Sequence, residues 1–433
     1  MRLSEQDLHI GETRAPETNV VKVQLGVILA LVAVYFLQAA TPLRLHPDSV
    51  VMLSVAETVE HGGGFLFHGQ RTVFPPGYPA LVAVLIRLNL AHVWVLVSIN
   101  VIFLAIGILA LRHVLKSDFF SEHSVLVVCM LSLLSFVFIK YSAFPLTDLL
   151  FFGVSMCCLA VMKKPASFPF SLRRAIVSAV LVITSLCIRR IGVALIPALL
   201  YTVIFQSGLR LYTMRLSVRM KATSVFVAAS VAVATAWAVR TTSTLWDFHR
   251  ALNGHTVIDA AIGILAIRLK ELGEIAINLP FDALPRMVQD IVPFIGFLAF
   301  ALAFGGVASR RKQFGVTEVY LVSYVAVVLA WPFYDPRFWL PVIPLLIAYS
   351  GLSLRRLMRR EIAAHVCEGY VLMFVVLGLV TLASTTVMSF SGPRFTDGYP
   401  LYRPTYCAAW HCKEGFDATK VDPDALHLLR SYR

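Results

Sequence analysis

Charge is scarce in this chain. Only 15% of its 433 residues are Asp, Glu, Lys or Arg, against 58% apolar residues, and that ratio cannot clothe a water-facing surface of ordinary polarity. A soluble globular protein is thereby excluded, and no stretch is left over for a large soluble domain. Acidic residues are the scarcer sign, 25 against 38 basic ones, which leaves a formal charge of +13. Cysteines number seven, and none stands in a Cys/His spacing of the kind that holds zinc. Five of them, Cys129, Cys157, Cys158, Cys187 and Cys367, sit in or beside apolar segments, where a thiol behaves as a small hydrophobe. The other two, Cys407 and Cys412, share the C-terminal tail and are either a disulfide or two free thiols. Paired inverted repeats, common in transporter folds, are missing as well.

What the chain has in quantity is apolar runs of bilayer length. Val20 to Ala40 is long enough to cross about 30 Å of hydrocarbon and too long for the apolar core of a signal peptide, so it is expected to be retained. Further spans are expected at Val93 to Leu111, Val125 to Ile139, Leu146 to Val161, Ala175 to Ile188, Gly192 to Phe205, Ala222 to Val239, Ile291 to Val307, Val316 to Trp331, Leu340 to Leu352 and Tyr370 to Phe390. The expectation is therefore an all-α polytopic membrane protein of about eleven transmembrane helices. The shorter spans need neighbouring helices or thinned lipid to cover their ends.

Basic residues set the orientation. With the apolar segment Tyr78 to Leu90 lying in the interface, five basic groups fall on one side together with the N-terminus: Arg112 and Lys116, Lys163 to Arg174, Arg210 to Lys221, Arg310 to Lys312, and Arg355 to Arg360. That side is cytoplasmic by the positive-inside rule. The excess positive charge is then mostly a topological signal, and nucleic acid is not an expected partner. A first outer loop (41–92), a large outer loop (240–290) and an extracytoplasmic tail (391–433) follow, around a membrane module spanning 1–390.

The residues that suggest chemistry lie at the outer ends of spans. Asp48, in His46-Pro47-Asp48-Ser49, stands just beyond the first span, before an amphipathic stretch Ser49 to Glu60 that stops at His61-Gly62-Gly63-Gly64. That stretch reads as a helix lying on the membrane and ended by glycine. Asp48 either caps this helix or serves as a general base, and a cap also fixes the direction of a carboxylate. Pro75, Pro76 and Pro79 start the next helix at the interface. Arg189 and Arg190 join two apolar runs with no polar loop between them, and charge at membrane depth is costly enough to suggest function. Arg337, in Tyr334-Asp335-Pro336-Arg337-Phe338, lies at the outer end of another span. These guanidinium groups can bind phosphate through paired hydrogen bonds, snorkel to headgroups, or pair internally, as Asp335 with Arg337 would. Asp148 either caps the fourth span or assists an acceptor. Asp422-Pro423-Asp424 has a metal-binding outline but reads first as a turn.

The run His46 to Ala56, then Gly62-Gly63-Gly64-Phe65, then Pro75-Pro76-Gly77-Tyr78-Pro79 resembles the first outer loop of the GT-C superfamily of glycosyltransferases. The likeness is greatest to bacterial enzymes of the protein-mannosyltransferase and lipopolysaccharide-glycosyltransferase type, of the glycosyltransferase family 39 kind. Phe144-Pro145-Leu146-Thr147-Asp148, Arg189-Arg190-Ile191-Gly192 and Asp335 to Pro341 fit the same pattern, and the likeness covers roughly residues 20 to 355. It implies a GT-C-like bundle with interfacial helices in the first outer loop. It also implies an inner-membrane enzyme that moves a sugar, with inversion, from a polyprenyl-phosphate donor to a glycan, lipid or protein hydroxyl on the outer side. In that pattern Asp48 matches the catalytic base and Arg337, Arg189 and Arg190 the donor-phosphate side. Asp148, His46 and Tyr334 are secondary or acceptor-side candidates. No cofactor is implied beyond the lipid-linked donor; many relatives carry a second acidic residue where this chain has Ser49, a departure that bears on acceptor type and metal use. A lipid or sugar flippase and a non-catalytic scaffold of the same fold are the rival readings.

Overall fold

The computed structural model describes residues 15–40, 42–116, 120–163, 172–206, 257–391, 401–410 and 416–432. Apart from one two-stranded hairpin, these residues form helices joined by short connections. Five helices are long and apolar enough to cross a membrane, or six with a bent pair counted as one span. The protein is an integral membrane protein. Every expected span falls on a helix except Ala222 to Val239, which lies outside the described residues.

The first helix, α1 (Ala15–Leu37), leads through a 3₁₀ turn to α2 (Pro47–Glu60), a hairpin of β1 (Leu66–Phe67) with β2 (Gln70–Arg71), and α3 (Gly77–Arg87). At about 1.5 Å per residue neither α2 nor α3 spans about 30 Å of hydrocarbon, as expected of interfacial helices. Pro47, Pro76 and Gly77 mark their starts, and Gly77 is required because a Cβ there would press on the Cys187 carbonyl. α4 (Val93–Lys116) crosses α7 (Asp148–Met162) closely where Gly107 meets Phe152 and Gly153 meets Phe103, with no space for a larger side chain. Small residues at such crossings let the backbones gain contact area, which in lipid replaces the hydrophobic drive. The α7 helix is short but buried along nearly its whole length, so neighbours do cover it.

Between them, α5 (Glu122–Leu133) and α6 (Phe136–Ser142) form the bent pair, turning 52° at Leu134–Ser135. The break frees backbone groups that lipid cannot satisfy. Asn278 fills it: its side-chain oxygen accepts from the Phe136 amide at 2.7 Å, and its Nδ2 donates to the carbonyls of Leu134 (2.9 Å) and Phe374 (3.0 Å). The Tyr35 hydroxyl donates to Leu133 O at 2.6 Å just before the bend. Asn278 itself is fully buried at φ 65°, a left-handed conformation that Asn tolerates better than most residues.

After α8 (Leu172–Ile188), a 3₁₀ turn (Arg190–Ala194) and α9 (Leu195–Gln206), the described chain resumes at residue 257. Within the stretch expected as a large outer loop, Val257–Ile277 is a 21-residue helix, α10. It lies lengthwise against α11 (Val292–Ser309), with Gly273 on Val292 and Gly296 on Leu269. That register is antiparallel, so the start of α10 lies toward the end of the bundle that carries Arg310–Lys312. α12 (Val316–Leu329), a 3₁₀ segment (Pro336–Val342) running into α13 (Ile343–Leu357), and α14 (Arg360–Ser389) complete the bundle.

The tail folds back over the first loop. In α15 (Arg403–Trp410), the buried Tyr406 hydroxyl accepts from Leu45 N (2.9 Å) and donates to Leu43 O (2.8 Å), which fixes the backbone just ahead of Asp48. Arg44 donates to Ser389 Oγ at 2.6 Å. Asp422 caps α16 (Pro423–Ser431) by accepting from Ala425 N at 3.0 Å, the turn role expected of it. Cys407 is disulfide-bonded, and its expected partner, Cys412, lies outside the described residues; the other five cysteines are free thiols.

Candidate active site

The first turn of α2 shows which residue caps it. His46 is the N-cap: its Nδ1 accepts from the Asp48 amide at 3.3 Å, and Ser49 Oγ accepts from the His46 amide at 2.7 Å. Asp48 is therefore not the cap, and its carboxylate is committed elsewhere. It accepts a hydrogen bond from the Arg337 guanidinium, 289 residues away in sequence. The Asp48 side chain keeps 25% exposure while Arg337 keeps 9%, so the acid faces an opening and the cation is enclosed.

Arg337 owes its position to the turn Asp335-Pro336. Asp335 caps the 3₁₀ segment, accepting from Arg337 N at 3.0 Å, and its other oxygen lies 2.5 Å from Arg337 Nε. The Tyr141 hydroxyl, delivered by the bent helix α6, donates to Asp335 at 3.1 Å. Phe338 then stands between two guanidinium groups, 5.5 Å from Arg337 and 5.3 Å from Arg189, a stacking that arginine favours over lysine. Arg189 occupies the extended residue between α8 and the following 3₁₀ turn and pairs with Asp148. Asp148 is the first residue of α7, yet it uses its carboxylate on Arg189, so the capping alternative is set aside for it too. Arg190 is half-buried at the start of the 3₁₀ turn.

A second layer, on α10, lay outside sequence reasoning. Glu271, fully buried, accepts from the Asp335 amide (2.6 Å), from the Trp339 indole (2.7 Å) and from Arg268 (2.6 Å). This fully occupied carboxylate braces the turn that aims Arg337. Tyr334, an expected site residue, donates to Glu274. Lys270 sits 3.4 Å over the Phe281 ring and 4.7 Å over that of Tyr334. A signal was present in the spacing: Arg268 with Glu271 and Lys270 with Glu274 stand three and four residues apart inside an otherwise apolar run, the pattern of a helix face.

Electrostatics decide what the group can hold. Asp48, Asp148 and Asp335 carry three negative charges against the two positive charges of Arg189 and Arg337, a net of −1. His46 adds no charge, because burial, then Arg337, pushes its imidazole below the ordinary range. Both arginines are thus already spent on carboxylates. Lys140 and Lys270 form no ion pair with a described carboxylate, and both act on Glu274. Among the described residues no three His, Cys, Asp or Glu side chains gather as a metal site. A cleft of about 490 Å³ does open nearby, though on the opposite face of α2 from Asp48.

The architecture has solved counterparts. The chain superposes on ArnT from Cupriavidus metallidurans bound to undecaprenyl phosphate with a TM-score of 0.52, at 12% identity, covering 95% of this chain and 85% of that one. Apo ArnT from the same organism gives 0.48 at 13% identity with the same coverage. The oligosaccharyltransferase AglB from Archaeoglobus fulgidus, in complex with an inhibitory peptide and a dolichol-phosphate, gives 0.45 at 12% identity over 90% of this chain and 61% of that one. No family model matches the sequence, and no curated protein does. The chain therefore shares its fold with ArnT, in line with the bundle that the first-loop motifs imply.

Proposed function

We propose that this protein is a membrane glycosyltransferase. It transfers a sugar from a polyprenyl-phosphate donor to an acceptor hydroxyl on the extracytoplasmic side, with inversion and with Asp48 as general base. The observation that carries the reading is the pairing of Asp48 with Arg337 on a GT-C fold. An acid relieved of its capping duty is held by one oxygen and left partly open at the other. The solved ArnT with undecaprenyl phosphate bound supports the donor class.

Asp48 takes the acceptor proton as the hydroxyl oxygen bonds to the anomeric carbon, and the bond from that carbon to the phosphate oxygen breaks on the opposite face. The phosphate leaves as a stable anion. Because Arg189 and Arg337 are internally neutralised, the incoming phosphate is first met by Lys270, over the Tyr334 ring, and Lys140, over the Tyr141 ring. Arg337 then stabilises charge that grows as the bond breaks.

The test is Asp48→Asn in lipid nanodiscs with a polyprenyl-phosphate-linked sugar. Transfer should fall by roughly 10²- to 10⁴-fold, the usual worth of a general base, while undecaprenyl phosphate binding persists. Undiminished transfer would overturn the assignment and favour a scaffold.

A further inference from the structure

The helix that carries Asp48 also builds a second site. Glu57 follows Asp48 by nine residues, so it lies about 13–14 Å further along the axis and half a turn round it. On that far face the cleft of about 490 Å³ opens between the last turns of α2, the β1–β2 hairpin and α16, a volume ordinary for small-molecule sites. The hairpin wall is fixed by its turn: His68 and Gly69 have φ of 49° and 75°, the left-handed pair of a type I′ connection. Two hydrogen bonds across the seam hold the remaining walls, His68 with Asp424 at 2.8 Å and His427 with Glu57 at 3.1 Å.

The lining chemistry selects a ligand class. Ser54 and Thr58 supply hydroxyls, Glu57 and Asp424 supply carboxylates, imidazoles supply donors or acceptors, and Phe67 supplies an apolar ring. Among the described residues no lysine or arginine lines the cleft, so a phosphate or carboxylate would meet two carboxylate side chains and no fixed positive one. A polyhydroxylated ring, neutral or bearing an amine, matches closely spaced donors and acceptors beside an aromatic face. We propose that the cleft binds such a sugar unit of the acceptor, at a distance from the hydroxyl that reacts. Its role toward an acceptor rests on the glycosyltransferase reading; its capacity to bind a sugar does not. An acceptor that touches both the cleft and Asp48 has to be longer than a monosaccharide, and binding energy gained remotely can be used to orient the reacting end.

The experiment uses the full chain in nanodiscs of phosphatidylethanolamine and phosphatidylglycerol, with glucosamine, glucose and inorganic phosphate as probes in saturation-transfer NMR and calorimetry. At least one sugar is expected to bind in the range of about 1–10 mM, and inorganic phosphate at least tenfold more weakly. Phe67→Ala and Thr58→Val should each weaken sugar binding at least tenfold, whereas Asp48→Asn should leave it unchanged. Thr58→Val breaks neither hydrogen bond across the seam, so it keeps the test valid if other variants loosen α16. Absence of sugar binding, indifference to both substitutions, or phosphate binding as tight as sugar would overturn the proposal. Retained transfer in Asp48→Asn with sugar binding intact would instead sink the general-base reading and leave this site standing.

Discussion

At the scale of single residues, two carboxylates at helix starts are paired with arginines and cap nothing. Asp48 and Asp148 both stand where a helix begins, and spacing alone makes each a candidate cap; His46 and Ser49 take the capping hydrogen bonds of α2, and Arg189 claims Asp148. Which side chain turns toward which partner is a tertiary fact, set by Arg337 arriving from 289 residues away. The His46 cap carries a pH signature. Burial and Arg337 hold its folded pKa below the ordinary value, so the folded state binds its proton less readily than the unfolded chain does. Its contribution to stability is therefore whole above about pH 6.5 and declines as the pH falls from there toward the lowered native value. In His46→Asn an accepting oxygen still caps the helix, and the melting temperature of the detergent-solubilised protein should lose that slope between about pH 5 and 6.5. The lysines give a further check. Lys270→Ala should weaken undecaprenyl phosphate binding roughly tenfold, a loss of about 1.4 kcal/mol, and do so without the loss of fold that orphaned acids would cause in Arg337→Ala.

Among the elements, apolar runs were legible because burial in lipid demands them, and the expected spans that fall on described residues lie on helices. The missed element was α10, whose Arg268, Lys270, Glu271 and Glu274 read as loop polarity until the fold shows Arg268, Glu271 and Glu274 buried and Lys270 half-buried. No composition window can tell a solvated charge from one that braces a turn. Asn278 was equally invisible, since its value lies wholly in backbone groups from three other places. Asn278→Ala should rank among the most destabilising single changes, because it strands the buried Phe136 amide at about 1–3 kcal/mol and takes away the donor that the Leu134 and Phe374 carbonyls share. A drop in melting temperature well beyond that of Gln289→Ala, a half-buried side chain that bonds only to two local carbonyls, would bear this out; equal drops would refute it.

For the whole molecule, the antiparallel packing of α10 on α11 makes a topological prediction that differs from the loop expected over 240–290. A cysteine placed at Asp259 should react with a membrane-impermeant thiol reagent from the same side as one placed at Arg311, and from the side opposite to one placed at Gln70 in the hairpin. Labelling of positions 259 and 70 from one side would contradict that arrangement. The bend between α5 and α6 also reaches into biogenesis. Because the gap between α5 and α6 is closed by an amide synthesised some 140 residues later, those two half-helices cannot reach their final hydrogen bonding while the ribosome is still short of Asn278. They must wait, half-satisfied, inside the insertion machinery or a transient water pocket, and the end that presents Tyr141 to Asp335 settles only when the second half of the chain arrives.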